Sequence, residues 1–233
     1  GVARRGDSAL AFSAMNLELL LFLPVLLFSV VVHEYAHAWM ALRQGDNTAY
    51  MLGRLTLNPL PHIDLFGSIL FPLLLVVTKA GFLFGWAKPV PVNSRNFRDY
   101  KKGDILVSLA GIGANLLLSL GFVLLSVVLV HLGRLLPALE PSIMLLGTMA
   151  EYGLIINLVL AFFNLIPIPP LDGSHVFYHL LPPRLGARYR ELSRYGILIL
   201  LAIMLFAPGV LQVFLVPVSL LRELAHTLIR FWT

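Results

Sequence analysis

The chain has 233 residues, of which 58% are hydrophobic and only 12% charged, and its mean hydropathy is +0.86. This composition excludes an ordinary soluble domain and predicts an all-α polytopic membrane protein, because in lipid each spanning segment must satisfy its own backbone hydrogen bonds. The net charge of +5 and pI near 9.7 do not point to nucleic acid, since the basic residues fall in short loops beside apolar runs, as the positive-inside rule expects. Cysteine is absent, so disulfides and thiolate ligands are excluded and His, Asp and Glu are left to hold any metal.

The first residues, Gly1 to Ser13, are polar and lead into an apolar run without a small-residue cleavage site after it, which argues against a removable signal peptide. Apolar runs follow at residues 17–42, 65–87, 104–131, 143–166, 195–207 and 210–221, and each is expected to be helical. Inside the first run lies His33-Glu34-Tyr35-Ala36-His37. Histidines four positions apart project from one side of a helix, and a glutamate beside the first reaches a water that a shared metal would hold. Zinc-dependent hydrolysis suits such a trio. Satisfied histidines beside a solvated carboxylate would be the bland explanation in a soluble helix. Within lipid it loses ground, since each ionisable group costs roughly 2.5–3.5 kcal/mol near the middle of a span.

Thr48 to Asn58 alternates enough to predict a short strand, which serves equally as an edge on which an unwound substrate backbone could pair or as a surface strand resting on the bilayer. Residues 65–87 form a short, interrupted run, with Lys79, Gly81 and Gly85 near its end, and read as a re-entrant hairpin rather than a crossing. Charge bias places the loops 79–103 and 167–194 on the cytoplasmic side and 131–142 outside. A hairpin keeps HEYAH and Asp172 on the same side. In the run 104–131, Gly111, Asn115 and Ser119 recur every four residues; the glycine and serine suit close helix approach, whereas Asn115 bonds either across to the HEYAH helix or to a backbone carbonyl.

The second unusual segment is Asn164-Leu165-Ile166-Pro167-Ile168-Pro169-Pro170-Leu171-Asp172-Gly173. Proline cannot continue the helical ladder, so the helix is expected to unwind near Pro167 and deliver Asp172 on an Asp-Gly turn. His33, His37 and Asp172 would then supply two nitrogens and one oxygen to one zinc ion, with a fourth position open. Glu34 fits the general base and Asn164 a donor to the developing oxyanion, although a helix-packing amide serves equally for the latter. His175 lies near Asp172 and reads as a loop histidine or an outer partner of the site.

These motifs resemble the site-2 protease family of intramembrane zinc metalloproteases, specifically its short prokaryotic members without PDZ or CBS domains. The resemblance rests on HEYAH within a membrane helix and on Asn164 to Gly173, which matches the family's Asn-x-x-Pro-x-Pro-x-Leu-Asp-Gly pattern. It extends to Gly53 to Pro59 with His62-Ile63-Asp64, and to Gly85 to Asn93. It implies a three-helix catalytic core (17–42, 104–131 and 143–166), His33, His37 and Asp172 as zinc ligands, Glu34 as the catalytic base and a prokaryotic cell membrane as the location. The whole of 1–233 would be one membrane-embedded metalloprotease domain, with its core at about 17–175 and further helical segments at about 190–230. Its partners would be a transmembrane protein substrate and the lipid bilayer, with no nucleic acid. The chain departs from the family in reading Gly111-Ile112-Gly113-Ala114-Asn115 where Gly-Pro often precedes the buried Asn, and in placing Leu65 after His-Ile-Asp.

Two other functions fit parts of the chain. A zinc transporter or sensor without hydrolysis would string acidic and histidine residues along several helices, whereas here they concentrate at one point beside a base. A prenyl-protein-processing metalloprotease would take a further ligand from a glutamate, for which Glu191 and Glu223 are the late candidates.

Overall fold

The computed structural model describes residues 2–71, 74, 77–78 and 87–233. Helix α1 runs Val2–Gln44, α2 is the single turn Thr48–Met51, α3 is Tyr100–Leu135 and α4 is Glu140–Asn164. Then come α5 (Asp172–Leu180), α6 (Pro183–Leu192), α7 (Gly196–Phe206) and α8 (Pro208–Trp232). Among the described residues, four segments are long and apolar enough to cross a membrane: Glu18–Gln44, Tyr100–Leu135, Pro137–Asn164 and Pro208–Trp232.

Burial follows sequence periodicity. On α1 the buried positions Leu21, Val25, Ser29, His33, His37 and Ala41 recur every four residues, forming one ridge. On α3 Asp104, Ser108, Gly111, Asn115, Ser119 and Val123 form the facing ridge, and α4 adds Ala150, Leu154, Asn157 and Ala161. These three helices pack mutually as the core, with α3 antiparallel to the other two: His33 and His37 of α1 meet Asn115 and Val107 of α3, and Ser29 meets Asn157 of α4. Large apolar side chains such as Leu117, Leu120 and Leu124 face outward, as lipid contact requires.

The last two apolar runs differ in kind. Helix α7 has eleven residues, roughly 16 Å, and is too short to cross. The chain breaks at Ala207, with Pro208 in the first turn of α8, a position where proline's missing N–H costs nothing. Leu211 packs with Ile166 and Leu171 at the end of α4, while Val218 and Ala225 pack with Leu158 and Leu154, so α8 is antiparallel to α4. Glu151 joins the two helices through Arg222 at 2.8 Å and His226 at 3.0 Å.

The strand expected over Thr48–Asn58 does not form. Asp46 Oδ1 accepts hydrogen bonds from the backbone N–H and hydroxyl of Thr48, starting α2, and Gly53 at φ +65° turns the chain again. No strand occurs among the described residues to pair with it. Most of the expected re-entrant segment, 65–87, lies outside the described residues; Leu65–Leu70 is a wide helical turn capped by Asp64, whose Oδ1 accepts from the Gly67 N–H. Its flanks, however, meet at one end of the core. The Lys88 N–H donates to the His62 carbonyl, and Asp46 accepts from the Asn93 backbone and the Asn96 side chain.

Candidate metal centre

Each histidine of HEYAH is oriented by α3. The Val107 carbonyl can only accept, so His37 Nδ1, at 2.7 Å, carries the proton. Asn115 gives its Nδ2 to the Asn157 side chain at 2.8 Å and to the Ser29 carbonyl at 3.4 Å, which turns its Oδ1 toward His33 and makes His33 Nδ1 a donor as well. Asn157 completes the network by donating to Ser29 Oγ and the Gly153 carbonyl. Asn115 and Asn157 are both wholly buried, and their bonds fix the Asn115 oxygen against His33.

With both Nδ1 protons committed to α3, the two Nε2 lone pairs face each other at 2.9 Å. Asp172 Oδ2 lies 3.2 Å from each, and the three ligand atoms fall within 4.8 Å of one another. Oδ2 is buried and accepts no hydrogen bond. A single proton can bridge only two of these three atoms, whereas a metal cation accepts all three, so the donor set fits zinc.

Gly111 forms the floor. A Cβ there would lie 2.5 Å from His37 Nε2 and 2.6 Å from His33 Cε1, so the close approach expected of this glycine is to the two imidazoles. Asp172 is delivered as expected by a break in the chain after Asn164, but not on a turn: Leu171 is extended and Asp172 is the first residue of α5. Gly173 makes this possible, because a Cβ there would sit 2.1 Å from the Leu165 carbonyl oxygen.

Glu34, one residue from His33, accepts the Val90 N–H at 2.8 Å on Oε2. Asn164 turns its amide back on its own helix, donating to the Leu160 carbonyl at 2.9 Å. His62 is buried and anchors its loop through the Thr56 carbonyl, a structural role. His175 is helical rather than in a loop, and pairs with Asp104 at 3.3 Å. Asn157 and Asp104 were missed in the sequence. Asn157 had a signal: it lies two turns before Asn164, on the α4 positions that face α1.

The Peptidase family M50 model matches residues 140–207. A Bacillus subtilis (strain 168) protein named as the zinc metalloprotease YwhC is 40% identical over 179 residues, covering 76% of this chain and 77% of that relative. Proteins named as the zinc metalloprotease Rip2 are 28% identical in Mycolicibacterium smegmatis and 29% in Mycobacterium tuberculosis H37Rv, each over 77% of this chain and 64% of the relative. No solved structure gives a significant match. The chain, with its zinc-compatible donor set in apolar helices, belongs to Peptidase family M50, the site-2 protease family of zinc-dependent membrane peptidases.

Proposed function

We propose that the protein hydrolyses a peptide bond in or beside a transmembrane segment of another membrane protein, with His33 Nε2, His37 Nε2 and Asp172 Oδ2 holding one zinc ion. The observation that carries this reading is the convergence of those three atoms, all without a proton of their own to share, where helices long enough to span a membrane meet. Bound zinc supplies Lewis acidity, polarising a carbonyl and lowering the pKa of water. Glu34 takes the proton of the attacking water as its oxygen bonds to the scissile carbon. It then delivers that proton to the nitrogen as the carbon–nitrogen bond breaks. One Glu34 oxygen is held by the Val90 N–H, which fixes the carboxylate and leaves the other oxygen for the proton. Asn164 has a second amide N–H beyond the one given to Leu160, and this is the donor assigned to the oxyanion.

The zinc site is assigned to the cytoplasmic side. In support, Arg43, Arg98, Lys101 and Lys102 cluster at its end of the core, and Arg184, Arg188, Arg190 and Arg194 follow on the segment after α5. The test is Glu34→Gln in the purified protein with a membrane-protein substrate: cleavage should fall by at least a thousandfold while zinc content is retained. Cleavage surviving in that variant would remove Glu34 as the base.

A further inference from the structure

A second carboxylate–histidine cluster joins α5, which carries Asp172, to α3, which orients the two metal-site histidines. Asp104, buried near the start of α3, accepts from His179 Nε2 at 2.8 Å on Oδ2 and faces His175 Nδ1 at 3.3 Å with Oδ1. Residues 172, 175 and 179 share one stripe of α5, and residues 104, 107, 111 and 115 share one stripe of α3. One face of α5 therefore carries Asp172 to the histidines of α1 and His175 and His179 to Asp104. One face of α3 meets them with Asp104, and meets α1 with the Val107 carbonyl, Gly111 and Asn115. The clamp is itself braced. The Tyr100 ring lies edge-on to His179 at 5.3 Å, Arg190 donates to the Tyr100 hydroxyl, and the Arg190 guanidinium stacks 3.9 Å over Tyr178.

We propose that Asp104, through His175 and His179, is the positioning residue that sets the register of α5 and thereby holds Asp172 at the metal centre. A nine-residue helix following a proline-broken segment does not fix its own position. A slide by one residue displaces Asp172 by about 1.5 Å along the axis and rotates it by about 100°, which takes Oδ2 away from both imidazoles. Asp104 removes that freedom by binding α5 at two points one turn apart. The proposal rests on Asp172 being a zinc ligand.

Cobalt(II) titration of the full-length protein in detergent tests it, because visible absorption reports ligand geometry as well as binding. Asp104→Ala and His179→Ala should each weaken cobalt binding about 10–100-fold, the range for residues that orient ligands, and change the intensity of the visible band. The double variant should lose no more than Asp104→Ala alone, since that change already removes both contacts to α5. Asp104→Asn, which keeps an oxygen for His179, should recover part of the loss. Unchanged affinity and spectrum in Asp104→Ala would overturn the proposal. If that variant does not fold, His175→Ala decides: its side chain is 53% exposed, so its removal spares the core, and it must weaken cobalt several-fold or the clamp fails. Asp172→Ala separates the two ideas. Cobalt loss there with full binding in Asp104→Ala sinks the clamp alone, while unaltered binding in Asp172→Ala sinks the ligand assignment beneath it.

Discussion

The two clusters that join α3 and α5 to their neighbours contain the same parts, two histidines and an aspartate, yet they are opposite in chemistry. Around Asp104 each histidine turns a nitrogen to a different carboxylate oxygen, giving a closed ion pair. Around Asp172 both histidines have already given their Nδ1 protons to α3, and both Nε2 atoms aim at a single buried oxygen. What separates a salt bridge from a metal site is therefore not residue type but where the protons are spent. In this protein the Val107 carbonyl and Asn115 make that difference.

The comparison breaks first at its floor. Gly111→Ala would press a methyl into both imidazoles, so zinc affinity should fall by a hundredfold or more and proteolysis with it, while the helices remain folded by circular dichroism. Near-normal zinc content in that variant would mean that the imidazoles have room to retreat. Asn115→Leu acts next. It leaves the His33 Nδ1–H and the Asn157 side-chain oxygen buried without partners, for a loss of about 1–3 kcal/mol in stability and about 10–100-fold in zinc affinity. Equilibrium dialysis against a zinc indicator, paired with thermal unfolding in detergent, measures both. The smallest effect separates the clusters by pH. The bond to Asp104 raises the pKa of His175 above its ordinary value near 6.5, with burial opposing. Its stabilising contribution is thus complete below about pH 6.5 and fades as pH rises through the raised folded-state value. The difference in Tm between the unaltered protein and His175→Gln should shrink from pH 6 to pH 9. Zinc binding runs the other way, strengthening as pH rises and its ligands lose protons.

Placement was most legible where the candidate ligands sit on short motifs. HEYAH and the proline-broken segment ending in Asp172 are each contiguous, and helix spacing alone predicts that the two histidines share a face. The long-range partners were harder to read. Asp104 resembles a loop-border charge until α5 is seen to lie across α3, and Asn157 is one amide in an apolar run until Ser29 and Asn115 are placed beside it. Thr48–Asn58 has the alternation of a strand, but Asp46 and Gly53 turn the backbone before any pairing begins. In the run 195–207 apolar character was legible, but whether it spans depends on the break at Ala207 and on Gly196 packing against the Pro169 carbonyl.

Zinc content of the purified protein, compared with Asp172→Ala and Glu34→Gln, tests the central claim most directly. The account predicts about one zinc per chain in the unaltered protein and in Glu34→Gln, and a loss of most of it in Asp172→Ala. Zinc held undiminished by Asp172→Ala would contradict it, since the two halves of the site would then not share an ion.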